Sequence, residues 1–378
     1  MTGIYIHWPF CQSKCPYCDF NSHVRQSISE IDWEIAYKKV LNYWAQNCTI
    51  QSVESIFFGG GTPSLMSASL VYRIINEIHK IWSCKPNIEI TLEANPTSVE
   101  SLNFRSYAQS GVNRVSMGVQ ALNNKDLKRL GRLHTVDDAK NAFEIAKSVF
   151  DRVSFDLIYA RQFQTVSDWQ LELEEALNMS VDHLSLYQLT IEKNTRFSEL
   201  HSKGKLKGLP NDDISVEFYN VTQEICSDWG LPAYEISNHA KLGSESQHNL
   251  IYWTGGYYLG VGPGAHGRLK VKNKRFRTEM FSNPEKWLKT VTENKFSEFL
   301  TIPLSDNEIA EEYLLMGIRL EVGIDVTYFN TYSDQKLSTK KVKLLSDMGL
   351  IIFKNNRLFT TKKGKLVTNY IINELLVF

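Results

Sequence analysis

The sequence predicts an α/β fold: a parallel sheet with crossover helices, followed by a small module of helices and a hairpin. Three observations predict it. Up to about residue 190, short runs rich in β-branched and aromatic residues alternate with stretches of helical period. Six such runs are separated by five such stretches, an order that requires parallel strands joined by crossovers. From about residue 305 the texture changes to helices followed by a strand, a turn and a strand. A curved sheet or partial barrel fits at least as well as a flat one. Either places function at the C-terminal strand ends.

The expected strands are "GIYIHW", "VESIFF", "NIEITLEA", "RVSMGVQ", "RVSFDLIY" and "HLSLYQL". Between them "SEIDWEIAYKKVLNYWAQ", "ASLVYRIINEIHKIW", "SVESLNFRSYAQSG", "VDDAKNAFEIAKSVF" and "SDWQLELEEALNM" carry apolar residues at i, i+3, i+4 spacing, several behind a Ser or Asp cap. Then "NDDISVEFYNVTQEICSDWG" reads as a helix stopped by Gly230 and "LPAYEISN" as a strand. "TGGYYLGVGPGAHG" reads as a glycine-rich loop, and the basic "KVKNKRFR" (270–277) as a solvated hairpin tip. "SDNEIAEEYLLMGIRL" and "KKVKLLSDMGL" are helices, and "LIIFKNNRLFTTKKGKLV" gives strand, turn, strand and the start of a last helix. Helices followed by a hairpin resemble a winged-helix module, which serves as lid or docking surface as well as for DNA.

The chain has 378 residues, 43% of them hydrophobic, enough for one large domain and a small one. Lys plus Arg equals Asp plus Glu at 42 each, so global charge does not argue for nucleic acid or an anionic membrane. No apolar run approaches the roughly 18 residues of a membrane helix, and no secretory signal is read at the start. The expectation is a cytosolic protein without nucleic acid as partner, in which peripheral membrane contact is admitted and a span is not. Six cysteines in a reducing compartment argue against a disulfide framework. Cys48, Cys84 and Cys226 are scattered and read as small hydrophobes.

The other three, Cys11, Cys15 and Cys18, fall within "IYIHWPFCQSKCPYCDFNSH" at C-x3-C-x2-C spacing. Chance would give this about 0.0015 times in such a chain, so the cluster reads as a metal site. Zinc would want four closed ligands, with His23 as the available fourth. Iron–sulfur clusters are held by thiolates, usually four, and three would leave one iron open for an exchangeable ligand. Glycines 59, 60 and 61 follow a strand and let backbone groups approach a ligand. Glu93, Gln120 and Asp156 stand late in successive strands, where polar residues converge on one mouth.

The cysteine triplet resembles the radical S-adenosylmethionine (SAM) signature. The wider string resembles the coproporphyrinogen dehydrogenase branch, HemN and HemW, through "FFGGGTPS", "LEANP", "GVNRVSMGVQ", "LGRLH", "FDLIY", "HLSLYQLTIE", "YEISN", "HNLIYW" and "YLGVGPGAHG". The resemblance covers nearly the whole chain. It implies a partial (β/α)6 TIM-like barrel of the radical SAM type over 1–240. A connecting region over 241–304 and a small α+β winged-helix-like domain over 305–378 would follow.

It also implies that Cys11, Cys15 and Cys18 ligate a 4Fe–4S cluster whose open iron takes the amino and carboxylate groups of SAM. Tyr5 would contact SAM, Tyr17 would lie beside the cluster, and Gly60, Gly61 and Thr62 would hold the methionine end. Glu93, Gln120, Arg132 and Asp156 match further SAM-contacting positions. Reduction of SAM would then yield a deoxyadenosyl radical.

HemN-type enzymes, which oxidatively decarboxylate coproporphyrinogen III, carry a further cysteine where this chain has Phe20. HemW-type haem chaperones lack it and carry HNxxYW, here His248, Asn249, Tyr252 and Trp253. The resemblance therefore implies a chaperone that binds haem and passes it to an unidentified acceptor protein. The alternatives are the dehydrogenase itself, which Phe20 disfavours, and a cluster-bearing regulator using the winged module. His248 is the candidate haem ligand and His266 a second, since imidazole is a common axial ligand; a hydrogen-bonded histidine near a helix start is the other reading of His248. One departure stands out. Where the family reads "DLIYGLPGQT", this chain has Ala160, Arg161, Gln162 and Phe163. A loop of different shape is expected there, with Arg161 facing solvent.

Overall fold

A computed structural model describes residues 1–25, 27–179 and 182–376. The last two residues of the 305–378 segment thus lie outside the described residues. Strands β1 (Thr2–Trp8), β2 (Val53–Gly60), β3 (Cys84–Ala94), β4 (Arg114–Gln120), β5 (Arg152–Tyr159) and β6 (His183–Gln188) lie side by side in chain order, each neighbouring pair parallel. Helices α1 (Glu30–Asn47), α2 (Ala68–Ile81), α3 (Phe104–Gln109), α4 (Val136–Val149) and α5 (Val166–Asn178) make the crossovers. The starts of α1, α2, α4 and α5 fall within one residue of those read from the sequence, with Thr in place of Ser or Asp as the cap of α4 and α5. Ser67 accepts from the Leu70 amide ahead of α2, and Thr135 with Asp138 and Thr165 with Asp168 form capping boxes on α4 and α5. The third helical stretch is not one helix: Ser98–Ser101 and α3 are separate turns with a break at Leu102 and Asn103.

Two elements differ from the sequence reading. "LPAYEISN" is mostly bends, and strand β7 is only Asn238–Ala240, antiparallel to β6. Buried Glu235 draws the chain into a turn there, accepting from the Ser237 amide and the Asn238 side chain. After helices α6 (Asp212–Asp228) and α7 (Gln247–Trp253), the glycine-rich stretch holds strand β8 (Tyr257–Val261), parallel to the other edge of β1. The glycines suit a strand under close approach rather than a free loop. A Cβ on Gly260 would stand 2.0 Å from the His266 carbonyl oxygen.

Strands β9 (His266–Val271), β10 (Lys274–Glu279) and β11 (Leu300–Pro303) continue antiparallel from β8, so eleven described strands share one sheet. The β9–β10 turn carries Lys272 and Asn273 at φ 47° and 66°, both exposed, which is the solvated hairpin tip expected of the basic segment. Helix α8 (Pro284–Thr292) returns Trp287 to the core, stacked 5.4 Å from Trp33 of α1. Trp8 and Phe10 pack edge-on against the same Trp33. This buried aromatic group lies directly under the start of the cysteine loop and contributes on the order of 2–3 kcal/mol per ring.

The C-terminal segment has its own apolar core, built on Leu314, Ile318, Phe329, Leu345, Leu358 and Ile371. It comprises helices α9 (Asp306–Gly317), α10 (Val326–Tyr332), α11 (Thr339–Asp347) and α12 (Thr368–Leu376) with a small sheet of β12 (Ile324–Asp325), β14 (Arg357–Thr360) and β13 (Ile351–Lys354). Asn355 and Asn356, at φ 51° and 61°, turn the β13–β14 hairpin. No described helix is long and apolar enough to cross a membrane.

The departure after β5 also differs from expectation. Arg161 does not face solvent; it is 2% exposed. Its Nε donates to Asp126 at 3.1 Å, Nη1 to the Ile158 carbonyl at 2.6 Å, and Nη2 pairs with Glu172. Ala160 and Phe163, at the positions of the family's two glycines, hold φ at 57° and 61°. Both are left-handed backbones carried by non-glycine residues, at a strain of roughly 1–2 kcal/mol per residue. The buried Arg161 pairs and the Phe163 ring, which sits 5.1 Å from the Arg129 guanidinium, hold the loop in place.

Candidate functional site

A cavity of about 410 Å³ opens at the C-terminal ends of the strands, where the sheet curves enough to bring β2, β3, β4, β5 and β6 onto one wall. Cys11, Cys15, Cys18, Tyr17, Gly60, Gly61, Thr62, Glu93, Gln120, Arg132 and Asp156 all line it. Sequence positions 11 to 156 therefore meet in one place. Tyr5 and His248 do not line it.

The cysteine loop leaves β1 at Trp8 and is held by the glycine turn after β2. The Gly61 amide donates to the Trp8 carbonyl at 2.7 Å and the Thr62 amide to the Phe10 carbonyl at 2.8 Å. A Cβ on Gly61 would lie 2.6 Å from the Phe10 oxygen, and Gly60 sits at φ 108°. These glycines let two chain segments touch. The amides of residues 61 and 62 are consumed by the loop itself, which leaves the Gly60 amide on Glu93 at 3.3 Å.

The three thiols are partly exposed on one side of the cavity. Thr62 Oγ1 lies 3.4 Å from Cys11 Sγ and Arg132 Nη1 3.4 Å from Cys15 Sγ. Among the described residues no three His, Cys, Asp or Glu side chains converge as the ligands of a single ion would. His23, the candidate fourth zinc ligand, instead bonds Asn21 Oδ1 at 3.1 Å. Burial pushes the Cys11 and Cys18 thiols up, with Thr62 pulling Cys11 back and the Phe20 backbone pulling Cys18 back. Phe20 is 59% exposed at the mouth.

Opposite the thiols lie the acids. Burial, then the charge of Asp156, pushes Glu93 up to about 8. Burial also raises Asp156 to about 6, against bonds from Ser185 and Ser116 and the charge of Arg114. Gln120 stands at φ 72° where the β4–β5 register slips, a strained position that turns its side chain to the cavity. Arg132 Nη2 donates to Asn95 at 2.6 Å and to the Gly118 carbonyl at 2.8 Å, while its Nε is buried without a partner. Such a wall offers acceptors for ammonium and hydroxyl groups and a guanidinium for a carboxylate.

Asn95 was not singled out from the sequence. It links Thr62, Glu100 and Arg132 and lines the cavity. Its place in "LEANP", two residues past Glu93, was the available signal. Ser116, His134 and Tyr187 line the cavity as well.

His248 is elsewhere, 1% exposed at the start of α7. Its Nδ1 pairs with Ser55 Oγ at 2.7 Å and its Nε2 with Tyr252 Oη at 2.7 Å. Burial, then the charge of Arg114, lowers it to about 3. Both ring nitrogens are thus engaged, as in the reading of a hydrogen-bonded histidine near a helix start. Tyr5 likewise gives its hydroxyl to His7 Nδ1 at 3.0 Å. His266 is exposed on β9.

The family described as the Radical SAM superfamily matches residues 5–175, and the HemN C-terminal domain matches residues 304–367. The chain is 34% identical to the bovine mitochondrial radical S-adenosyl methionine domain-containing protein 1, over 99% of this chain and 87% of that one. The chain belongs to the radical SAM superfamily. Within it the chain falls in the HemN/HemW branch. It is 35% identical to the heme chaperone HemW of Haemophilus influenzae, over 98% of this chain and 96% of the relative. The solved coproporphyrinogen III oxidase HemN of Escherichia coli shares the fold, with a TM-score of 0.82 over 100% of this chain and 90% of that one, at 19% identity. Radical SAM membership implies a 4Fe–4S cluster and SAM.

Proposed function

We propose that this protein is a haem chaperone of the HemW kind, which binds haem and transfers it to an acceptor protein. The observation that carries the reading is the three-thiol loop that ends at exposed Phe20, on a chain similar over its length to proteins named heme chaperone HemW. Cys11, Cys15 and Cys18 would hold the cluster, and its open iron would take SAM; together they supply a one-electron redox centre with an exchangeable ligand. Glu93 and Asp156 would accept from the ammonium and hydroxyl groups of SAM, and Arg132 would face its carboxylate. Gly60, Gly61, Thr62 and Gln120 would shape its bed, and Tyr17 would shield the cluster. Tyr5 would act behind this wall, packed on Gly59 rather than on the ligand. His248 is not assigned to haem, because it is 1% exposed and either ring nitrogen would have to give up its Ser55 or Tyr252 bond to bind iron. The reading includes a cytosolic setting, whose reducing conditions suit a cluster held by thiolates.

Anaerobic reconstitution tests the site. About four irons per chain are expected, with an electron paramagnetic resonance (EPR) signal that SAM alters, and Cys15→Ala should lose both. Iron uptake without any SAM effect would contradict an open coordination position. Conversion of coproporphyrinogen III to protoporphyrinogen by the same preparation would favour the dehydrogenase instead.

A further inference from the structure

Asn21 lies three residues beyond Cys18, and all its side-chain polar atoms are engaged. Its Nδ2 donates to the Pro263 carbonyl at 2.9 Å and to the Ser282 carbonyl at 2.9 Å, while Oδ1 pairs with His23 Nε2 at 3.1 Å. Its backbone carbonyl takes His7 Nε2 at 2.9 Å. The two distant carbonyls flank the β9–β10 hairpin, one in the Gly262–Pro263–Gly264 turn and one after β10. That turn is built for the approach. Gly262 stands at φ 123° with its missing Cβ 2.4 Å from the His7 carbonyl oxygen, and Gly264 at φ 73° with its missing Cβ 2.7 Å from Asn21 Nδ2. Side chains at either place would push the turn off the loop.

We infer that Asn21 is a positioning residue for the iron–sulfur cluster, clamping the end of the cysteine loop to the Gly262–Gly264 turn. This rests on the reading of that loop as the cluster loop. The loop's start is already fixed by the amides of Gly61 and Thr62. Asn21 fixes its far end, so that Cys18 and Phe20, which borders the cavity, are set from both sides. The "GVGPGAHG" motif, which supplies no cavity-lining residue, thereby gains a role. Residues behind the ligands orient them and govern the stability of a bound metal centre.

The test uses the full chain, reconstituted anaerobically, with Asn21→Asp and Asn21→Ala. Asp keeps the shape but loses both Nδ2 donors and faces two carbonyls with a carboxylate. Ala removes the contacts without adding charge, so it remains informative if Asp prevents folding. Both variants should load iron and keep a wild-type melting temperature to within a few degrees. Their clusters should bleach in air roughly 10-fold faster than wild type, and the SAM-induced change in the EPR spectrum should shrink. Loaded variants with wild-type bleaching and wild-type spectra would overturn the clamp while leaving the cluster assignment intact. A wild-type chain that takes up no iron would overturn the cluster assignment itself.

Discussion

Glu93 and Asp156 are held protonated more strongly than free carboxyls because burial desolvates them, and Glu93 also feels the charge of Asp156. For Glu93 the unfolded value lies near 4.5 and the folded value near 8. The folded state therefore binds the extra proton, and the contribution to stability is full below pH 4.5 and lost as pH rises through 8. The ligand-free protein should unfold more easily at pH 9 than at pH 6, by a few kcal/mol at most. Glu93→Gln should flatten that slope in urea titrations and weaken SAM binding. Ala160 offers a second test. Glycine there should raise the unfolding free energy read from urea titration by up to about 1 kcal/mol, relief of the positive φ exceeding the entropy lost. Arg161→Ala should cost on the order of 3–5 kcal/mol, since Glu172 would stay buried without its guanidinium and Asp126 would be left with Arg129 alone as ion-pair partner. The cysteines, the glycine turn and the strand-end acids were legible because local spacing announces them. Asn21 and Arg161 were not. The partners of Asn21 lie 242 and 261 positions away, and nothing near Arg161 in sequence says that two acids await it.

Strand β8 shows how an element escapes a local reading. Its glycines argue for a loop, yet they exist because the His266 carbonyl and the β9 edge crowd the strand. Gly260→Ala should therefore destabilise by about 1–3 kcal/mol and shift the chemical denaturation midpoint down. A neutral outcome would mean that the crowding is relieved by easy movement. Helix α7 closes the opposite end of the argument. His248 joins Ser55 of β2 to Tyr252 one turn on, so His248→Ala should cost about 1–3 kcal/mol through the hydroxyls it leaves unpaired. Saturable haem binding should survive that substitution at temperatures where the variant is folded. Loss of the haem Soret band from a folded His248→Ala protein would return the ligand to that ring.

At the scale of the molecule, alternation of strand and helix was enough to announce the barrel, because each crossover is a local event. The extension β8–β11 was not announced, since β8 finds its parallel partner β1 some 255 positions earlier, Thr2 against Tyr257. That pairing matters for function: it carries the Gly262–Gly264 turn to the cysteine loop. Haem chaperoning is the function proposed for this frame. It is tested most directly by titrating haem into the anaerobically reconstituted protein, following the Soret band, and then adding an apo haem protein as acceptor. The expected result is saturable one-to-one binding followed by transfer of the band to the acceptor. Absence of saturable binding, with coproporphyrinogen III converted by the same preparation, would contradict it.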